Sequence, residues 1–283
     1  YVLSMIRGEH QSKGGSSPII RFILGFFVMI GALMFLGCPI RMILRLGGGD
    51  LNALFGIAGF AGGIGFGTIF LKKGYSLQRT YALSKLESAM MPAIQVGLLV
   101  LVVTAPAFIF FSQKGPGAMH APWLISLAAG LVVGGLSQFS RLCTVGGFRD
   151  LFLFKKSILI FGYLAVLIGV FVVNISFGNF HLGFENQPIA HTDGLWNFLG
   201  MALAGFCSVL LGGCPLRQLI MTGEGNSDSA VTVLGLAAGA AFAHNFGLAA
   251  SGAGPTLNGE IAVGVGFVVA FIIAVLNTKR SNA

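Results

Sequence analysis

The sequence predicts an all-α polytopic membrane protein, an inverted-repeat (pseudo-twofold) bundle with re-entrant half-helices that carry cysteines. Of its 283 residues 55% are hydrophobic and only 9% are charged, whereas a soluble domain carries about 25% charged residues. Apolar runs follow one another along the chain, and a five-residue motif occurs twice where such a run stops. Together these observations predict the fold class, because so much apolar surface needs lipid as its solvent.

Eight apolar runs have the length of membrane-spanning helices, which is roughly 17–25 residues. In chain order they lie at 21–37, 51–71, 92–111, 122–140, 157–177, 196–213, 230–250 and 260–277. The first run is short and stops at Gly37-Cys38-Pro39. The connecting segments are polar or rich in glycine and proline, as is typical of loops.

Lysine and arginine predict the side of the membrane on which each loop lies. If the N-terminal segment is cytoplasmic, eight crossings return the C-terminus to the same side, and 14 of the 17 basic residues fall inside. The segment 178–195 contains no lysine or arginine and is predicted to lie outside. Both observed termini are therefore expected in the cytoplasm.

The motif Gly37-Cys38-Pro39-Ile40-Arg41 recurs in the second half of the chain as Gly213-Cys214-Pro215-Leu216-Arg217. Residues 37–70 and 213–246 share 11 of 34 positions without a gap. In the predicted topology the run before Cys38 crosses outward and the run before Cys214 crosses inward, so the two copies are inverted. The chain is expected to form one membrane domain, with a first repeat over residues 1–120 and a second, inverted repeat over residues 121–283.

Each copy of the motif places a cysteine where a short helix is predicted to begin. Proline suits the first turn of a helix, so Cys38 and Cys214 are predicted N-caps, where free N–H groups and the helix dipole favour anions and thiolates. Arg41 and Arg217 lie one helical turn further on and can reach the same region. A single copy could equally be a small apolar residue beside an interfacial arginine, but two copies in register favour an anion site.

Cys143 also ends an apolar run, with Arg141 two residues before it and a pair of glycines after it, and is predicted to be a third thiol site. If the first repeat is built like the second, Cys38 needs a partner at the interval that separates Cys143 from Cys214, and that position would precede Tyr1. The N-terminal part of the first repeat, with a further cysteine site, is therefore expected to be missing.

Three further residues are weaker candidates for the same path. Cys207 lies two helical turns before Cys214, on the same helix face and about 10 Å away. It is either a further binding position along the path or a small residue that packs between helices. His244 and Asn245 stand inside an apolar run, where polar groups are functional candidates, although an interhelical hydrogen bond is their commoner role.

Several other functions are excluded or unsupported. No zinc-ligand spacing, phosphate-cradling glycine loop or Ser/His/Asp set stands in a suitable context, so neither a cofactor, a metal site nor a catalytic residue is predicted. The net charge of +8 comes from short loops and not from a long basic run, so nucleic acid is not an expected partner. The four cysteines include no Cys-x-x-Cys pair, which argues against a disulfide framework.

The paired motifs, the segment 141–150 and the stretch 46–52 resemble the YeeE/YedE family of bacterial membrane proteins over essentially the whole chain. Within that family the sequence looks most similar to the branch described as selenium transporters. The resemblance implies an importer of sulfur oxyanions such as thiosulfate in the bacterial inner (cytoplasmic) membrane, with selenium compounds for this branch. It also implies an hourglass fold in which the re-entrant helices meet near the centre and cysteines pass the ion along by thiol hydrogen bonds.

By this resemblance, Cys38 and Cys214 match the two Gly-Cys-Pro cysteines, and Cys143 matches the remaining motif cysteine of the second half. The family's N-terminal cysteine motif has no counterpart in this sequence. The resemblance further implies a cytosolic sulfur-carrier protein of the persulfide-transfer type as partner.

The predicted function is therefore the uptake of a small sulfur- or selenium-containing anion through a central, cysteine-lined path, and not an enzymatic reaction. One alternative is a membrane thiol oxidoreductase or sulfurtransferase that forms persulfides on Cys143 or Cys214. Another is a passive anion channel without thiol chemistry. The predicted path residues are Cys38, Cys143, Cys214, Cys207, Arg41, Arg217, Arg141, His244 and Asn245.

Overall fold

The computed structural model describes residues 5–6, 12–104, 121–156 and 158–278. These residues form eleven helices of nine residues or more, α1 to α11: Pro18–Phe35, Pro39–Gly47, Asn52–Lys72, Lys85–Thr104, Trp123–Ser140, Thr144–Phe154, Ile158–Ser176, Gly194–Leu211, Pro215–Gly223, Ser227–Asn245 and Leu257–Leu276. A small antiparallel sheet pairs β1, Lys13–Gly14, with β2, Tyr81–Ala82. The end of the third predicted run, 105–111, and the basic residues Arg7, Lys114, Lys279 and Arg280 lie outside the described residues.

The chain is an all-α polytopic membrane protein, as predicted. Seven helical segments of the described residues are long and apolar enough to cross a membrane. The outer helices α4, α5, α7 and α11 expose leucine, isoleucine, valine and phenylalanine side chains, which is the surface that lipid requires. The remaining long helix, α10, is less apolar because its first turns contain Asp228, Ser229 and Thr232, all of them buried.

Every predicted run coincides with a long helix, and the boundary that differs most is the start of α4. The apolar run begins at residue 92, but the helix begins at Lys85. Ser84 and Glu87 account for the extra turns, because the backbone N–H of each donates to the side chain of the other. This reciprocal arrangement is a capping box, which starts a helix in polar sequence.

Three of the apolar segments are broken into a long and a short helix. The breaks separate α1 from α2, α5 from α6, and α8 from α9, and each contains one residue in the left-handed region: Leu36 with φ 62°, Arg141 with φ 52° and Gly212 with φ 82°. The short helices have 9, 11 and 9 residues, or about 14–16 Å at 1.5 Å per residue. Each is therefore about half as long as a bilayer core is thick.

The two motif copies interlock at the centre of the bundle. Helix α3 packs on α8, α10 packs on α1, and α1 crosses α8. Gly59 lies against the carbonyl oxygen of Phe198, and Gly235, its equivalent in the second copy, lies against that of Phe22. Phe22 and Phe198 are separated by the same number of residues as the two motif copies, so they are equivalent positions. In each half of the chain, the equivalent glycine therefore packs against the equivalent carbonyl group of the other half.

The turns that follow the two motif helices contact different loops. The first turn, 48–51, pairs with residues 181–183, where the N–H of His181 donates to the Gly48 carbonyl oxygen at 2.8 Å and that of Leu51 to the Gly183 carbonyl oxygen at 3.0 Å. The second turn, 224–226, meets Ser12, whose hydroxyl donates to the Gly225 carbonyl oxygen. Gly225 also lies against the backbone of Ser88.

Candidate functional site

Cysteine is the N-cap residue of all three short helices. Cys38 precedes α2 with φ −76° and ψ 170°, and Cys214 precedes α9 with φ −72° and ψ 164°. Cys143 precedes α6, and its sulfur accepts a hydrogen bond from the N–H of Gly146 at 3.3 Å. The Gly-Cys-Pro motif causes this placement twice, because proline can begin a helix but the residue before it is driven into extended backbone.

Two of these N-caps meet. The side chain of Cys214 interacts with the thiol of Cys143 and with the backbone N–H groups of Thr144 and Arg217. Both cysteines are buried, with 7% of Cys143 and 1% of Cys214 exposed. The positive ends of α6 and α9 therefore converge on one pair of thiols, and converging N–H groups of this kind favour an anion.

Tyr163 on α7 lies within electrostatic range of Cys214 and of Cys38. Its ring packs edge-on against Phe148 of α6, with 5.8 Å between ring centroids. The hydroxyl is buried and has no hydrogen-bond partner among the described residues. Tyr163 was not predicted, since a lone tyrosine in an apolar run carries no local signal of function.

Three buried polar atoms around the cysteines have no hydrogen-bond partner within the described part of the chain: Arg41 Nε, Arg217 Nη1 and Tyr163 Oη. Leaving a buried polar group unpaired costs about 1–3 kcal/mol, so such a group is a candidate partner for a bound ion or water. The arginines turn back toward the breaks: a methyl group at Gly37 would lie 2.8 Å from Arg41 Cδ, and one at Gly213 would lie 3.5 Å from Arg217 Cγ. That each guanidinium group reaches its cysteine stays a prediction.

The structure places the other predicted path residues elsewhere. Cys207 is fully buried in a different apolar cluster, near Tyr75. Arg141 is exposed at the end of α5. His244 and Asn245 are exposed at the end of α10, where Asn245 Nδ2 donates to the Ala241 carbonyl oxygen at 2.8 Å. A part in the path stays a prediction for these four residues.

The site holds thiols, hydroxyls, guanidinium groups and backbone N–H groups, which together suit a small anion. Within the described residues no group of three or more His, Cys, Asp or Glu side chains is arranged to hold a metal ion. The four cysteines are free thiols. The chemistry that this set offers is therefore hydrogen bonding and thiol chemistry.

Comparison with known proteins identifies a family for the second half of the chain. Residues 139–278, which contain Cys143, Cys207 and Cys214, match the family described as sulphur transport. No curated protein matches the chain. Through residues 139–278 the chain belongs to the sulphur transport family.

Proposed function

We propose that this protein carries a small sulfur oxyanion of the thiosulfate class across the membrane, along a path that passes Cys38, Tyr163 and the Cys143–Cys214 pair. Membership of the sulphur transport family supports transport of a sulfur compound. The observation that carries the finer proposal is the convergence of two helix N-termini on two buried thiols, next to polar atoms without partners in the described chain.

The physical need for such a path comes from the charge of the ion. Burying an unpaired charge is very unfavourable, so every stage of the crossing has to replace hydration. Thiols, a phenol and backbone N–H groups donate hydrogen bonds without adding a full opposite charge, so they bind weakly enough to release. The sequence of N-caps at Cys38, Cys143 and Cys214 offers several such stages.

Uptake of radiolabelled thiosulfate into proteoliposomes tests the path. We expect Cys38→Ala, Cys143→Ala and Cys214→Ala each to reduce uptake at least tenfold, roughly the effect of losing one hydrogen bond to a charged group. Thermal unfolding in detergent serves as the control for folding. Normal uptake by all three variants would contradict the proposal, and normal uptake by Cys207→Ala would place Cys207 outside the path.

Selenium compounds are a second substrate class to be measured in the same assay. Sulfur and selenium oxyanions differ little in size and charge, so the site as described does not choose between them. Competition of labelled thiosulfate with selenite, and of labelled selenite with thiosulfate, gives the preference directly. A location in the bacterial inner membrane and delivery to a cytosolic sulfur carrier remain part of the proposal, and fractionation and co-purification test them.

The contact between Cys143 and Cys214 also allows a test of the enzymatic alternative. A sulfurtransferase would hold a persulfide or a disulfide on this pair during turnover. Mass spectrometry of the protein isolated after thiosulfate exposure distinguishes the two functions: free thiols support transport by hydrogen bonding, and a stable persulfide supports sulfurtransferase chemistry.

A further inference from the structure

A cavity of about 420 Å³ lies beside α2 and the turn that follows it. It is separate from the thiol pair, since neither Cys143 nor Cys214 lines it. Its charged and polar lining residues include Arg41, Arg45, Asp50, Asn174, His181 and Gln187. The segment that supplies His181 and Gln187 is the one that the charge distribution predicts to be external.

Arg45 is held in this wall by three partners. Its Nε donates to Asp50 Oδ2 at 2.6 Å, its Nη1 donates to the Phe35 carbonyl oxygen at 2.5 Å, and the guanidinium carbon lies 4.0 Å from the centre of the Phe35 ring. Only 5% of the side chain is exposed. Even so, Nη2 has no hydrogen-bond partner among the described residues.

Arg41 lies four residues before Arg45, so both guanidinium groups occupy one face of α2, where like charges repel. The two groups interact electrostatically, and Arg41 Nε is also buried without a partner in the described chain. The Asp50 carboxylate is engaged by other groups: Oδ2 accepts from Arg45, and Oδ1 accepts from the backbone N–H and the side-chain amide of Asn52, each at 2.9 Å. Among the described residues that line the cavity, Asp50 is the one carboxylate beside these two positive charges.

We propose that this cavity is a recognition site for a small divalent oxyanion, bound between Arg41 and Arg45 before it reaches the cysteines. An oxyanion in this position would accept hydrogen bonds from Nε of Arg41 and Nη2 of Arg45 and would offset their mutual repulsion. Arg41 lies one helical turn from Cys38, which links the cavity to the thiols. The inference rests on the proposed function for the identity of the ion, but not for the existence of the site.

Isothermal titration of thiosulfate into the detergent-solubilised protein tests the proposal. A variant with Cys38, Cys143 and Cys214 all changed to alanine loses the thiols of the proposed path but should still bind thiosulfate through the cavity, because no cysteine lines it. Arg41→Gln in that background should weaken binding at least tenfold, since one charge-assisted contact is lost. Arg79→Gln, which removes an exposed charge from the loop after α3, is the matched control and should not change the affinity.

Two outcomes would overturn the inference: unchanged affinity in Arg41→Gln, or loss of all binding in the cysteine-free variant. Arg45→Lys provides a second variant, in which the charge remains but the planar fork is lost, and it should also bind at least tenfold more weakly. If Arg45→Lys does not fold, Arg41→Gln alone tests the proposal. The Arg41 side chain is only half-buried, so its replacement is expected to be tolerated by the fold.

Transport kinetics separate this inference from the cysteine path. With the native cysteines present, Arg41→Gln should raise the KM for uptake about tenfold and leave the maximal rate unchanged, as expected when a recognition contact is lost. If the cysteine variants transport normally while Arg41→Gln loses binding, the cysteine path is wrong and the recognition site stands. A lower maximal rate with unchanged KM in Arg41→Gln would contradict a recognition role.

Discussion

Arg45 and Asp50 form the buried charge pair on which the end of α2 depends. Asp50→Asn leaves the guanidinium buried beside Arg41 with no carboxylate, and removal of one partner of a buried pair costs about 3–5 kcal/mol. We expect a correspondingly large fall in the thermal unfolding midpoint in detergent. Asp150→Asn is the matched control: Asp150 pairs with Arg149 at 2.8 Å but is 27% exposed, and such a pair contributes only about 0–1 kcal/mol. Equal destabilisation by the two variants would contradict a buried pair at Asp50.

The structure suggests that Tyr163 donates a hydrogen bond along the anion path, a role that the sequence did not indicate. Tyr163→Phe keeps the ring contact with Phe148 and removes only the hydroxyl, which has no partner in the described chain. Because no protein hydrogen bond is lost, we expect the free energy of unfolding to stay the same or to rise slightly. Thiosulfate uptake should fall at least tenfold, since the anion loses a donor between Cys38 and Cys214. A large loss of stability with normal uptake would instead indicate a structural role.

His191 lies in the segment between α7 and α8. We expect it to make the free energy of unfolding depend on pH. Burial lowers the pKa of His191, although the Met34 carbonyl oxygen, 2.8 Å from Nε2, acts in the opposite direction. Nearby Arg45 also lowers the pKa, and Asp193 and Asp50 raise it. The unfolded chain therefore binds a proton that the folded chain rejects as the pH falls below about 6.5.

The stability contributed by neutral His191 is thus fully present above that pH and is lost as the pH falls toward the lower folded-state pKa. We expect the unfolding midpoint of the wild type to fall more steeply between about pH 7 and pH 5 than that of His191→Gln. Parallel slopes for the two proteins would show that this histidine does not couple to folding.

Among the helices, the contacts of α3 with α8 and of α10 with α1 depend on glycine. A methyl group at Gly59 or Gly235 would overlap a backbone carbonyl oxygen of the neighbouring helix, and a backbone cannot move as a side chain can. We expect Gly59→Ala and Gly235→Ala each to destabilise the protein by about 1–3 kcal/mol, the usual cost of overpacking.

Gly264→Ala is the matched control, because no atom of the described chain lies within 4 Å of a methyl group at that position of α11. Helix propensity alone then applies, and it favours alanine by up to about 1 kcal/mol. Unfolding of the three variants in the same detergent gives the comparison, and destabilisation by Gly264→Ala as large as that by Gly59→Ala would refute the packing argument.

The long helices were predictable because a bilayer imposes their length and polarity on the sequence, and the N-caps at Cys38 and Cys214 were predictable because proline acts on its immediate neighbours. The contact of Cys143 with Cys214 was not, since it depends on where the first residues of α6 and α9 meet, and these helices are far apart in the chain. The partner of Arg45 lies only five positions away, at Asp50, but beyond the end of α2. Helical spacing alone therefore did not reveal it.

For the molecule as a whole, the orientation of its two halves remains to be tested by chemical labelling. Gly48 and Glu224 are equivalent positions of the two motif copies, in the turns that follow α2 and α9. The first turn contacts the segment without lysine or arginine, and the second contacts Ser12 and Ser88, which lie beside the basic loops. If the halves are inverted, these equivalent positions lie on opposite sides of the membrane.

We expect a membrane-impermeant maleimide to label Gly48→Cys in intact cells and Glu224→Cys only after permeabilisation, with the four native cysteines replaced by alanine. Glu185→Cys and Arg79→Cys, at exposed positions of the loops predicted to be external and internal, calibrate the two sides. Labelling of both turns from the same side would rule out inversion. Cys38 and Cys214 would then begin helices of the same direction, and the two N-termini could not serve an ion from opposite sides of the membrane.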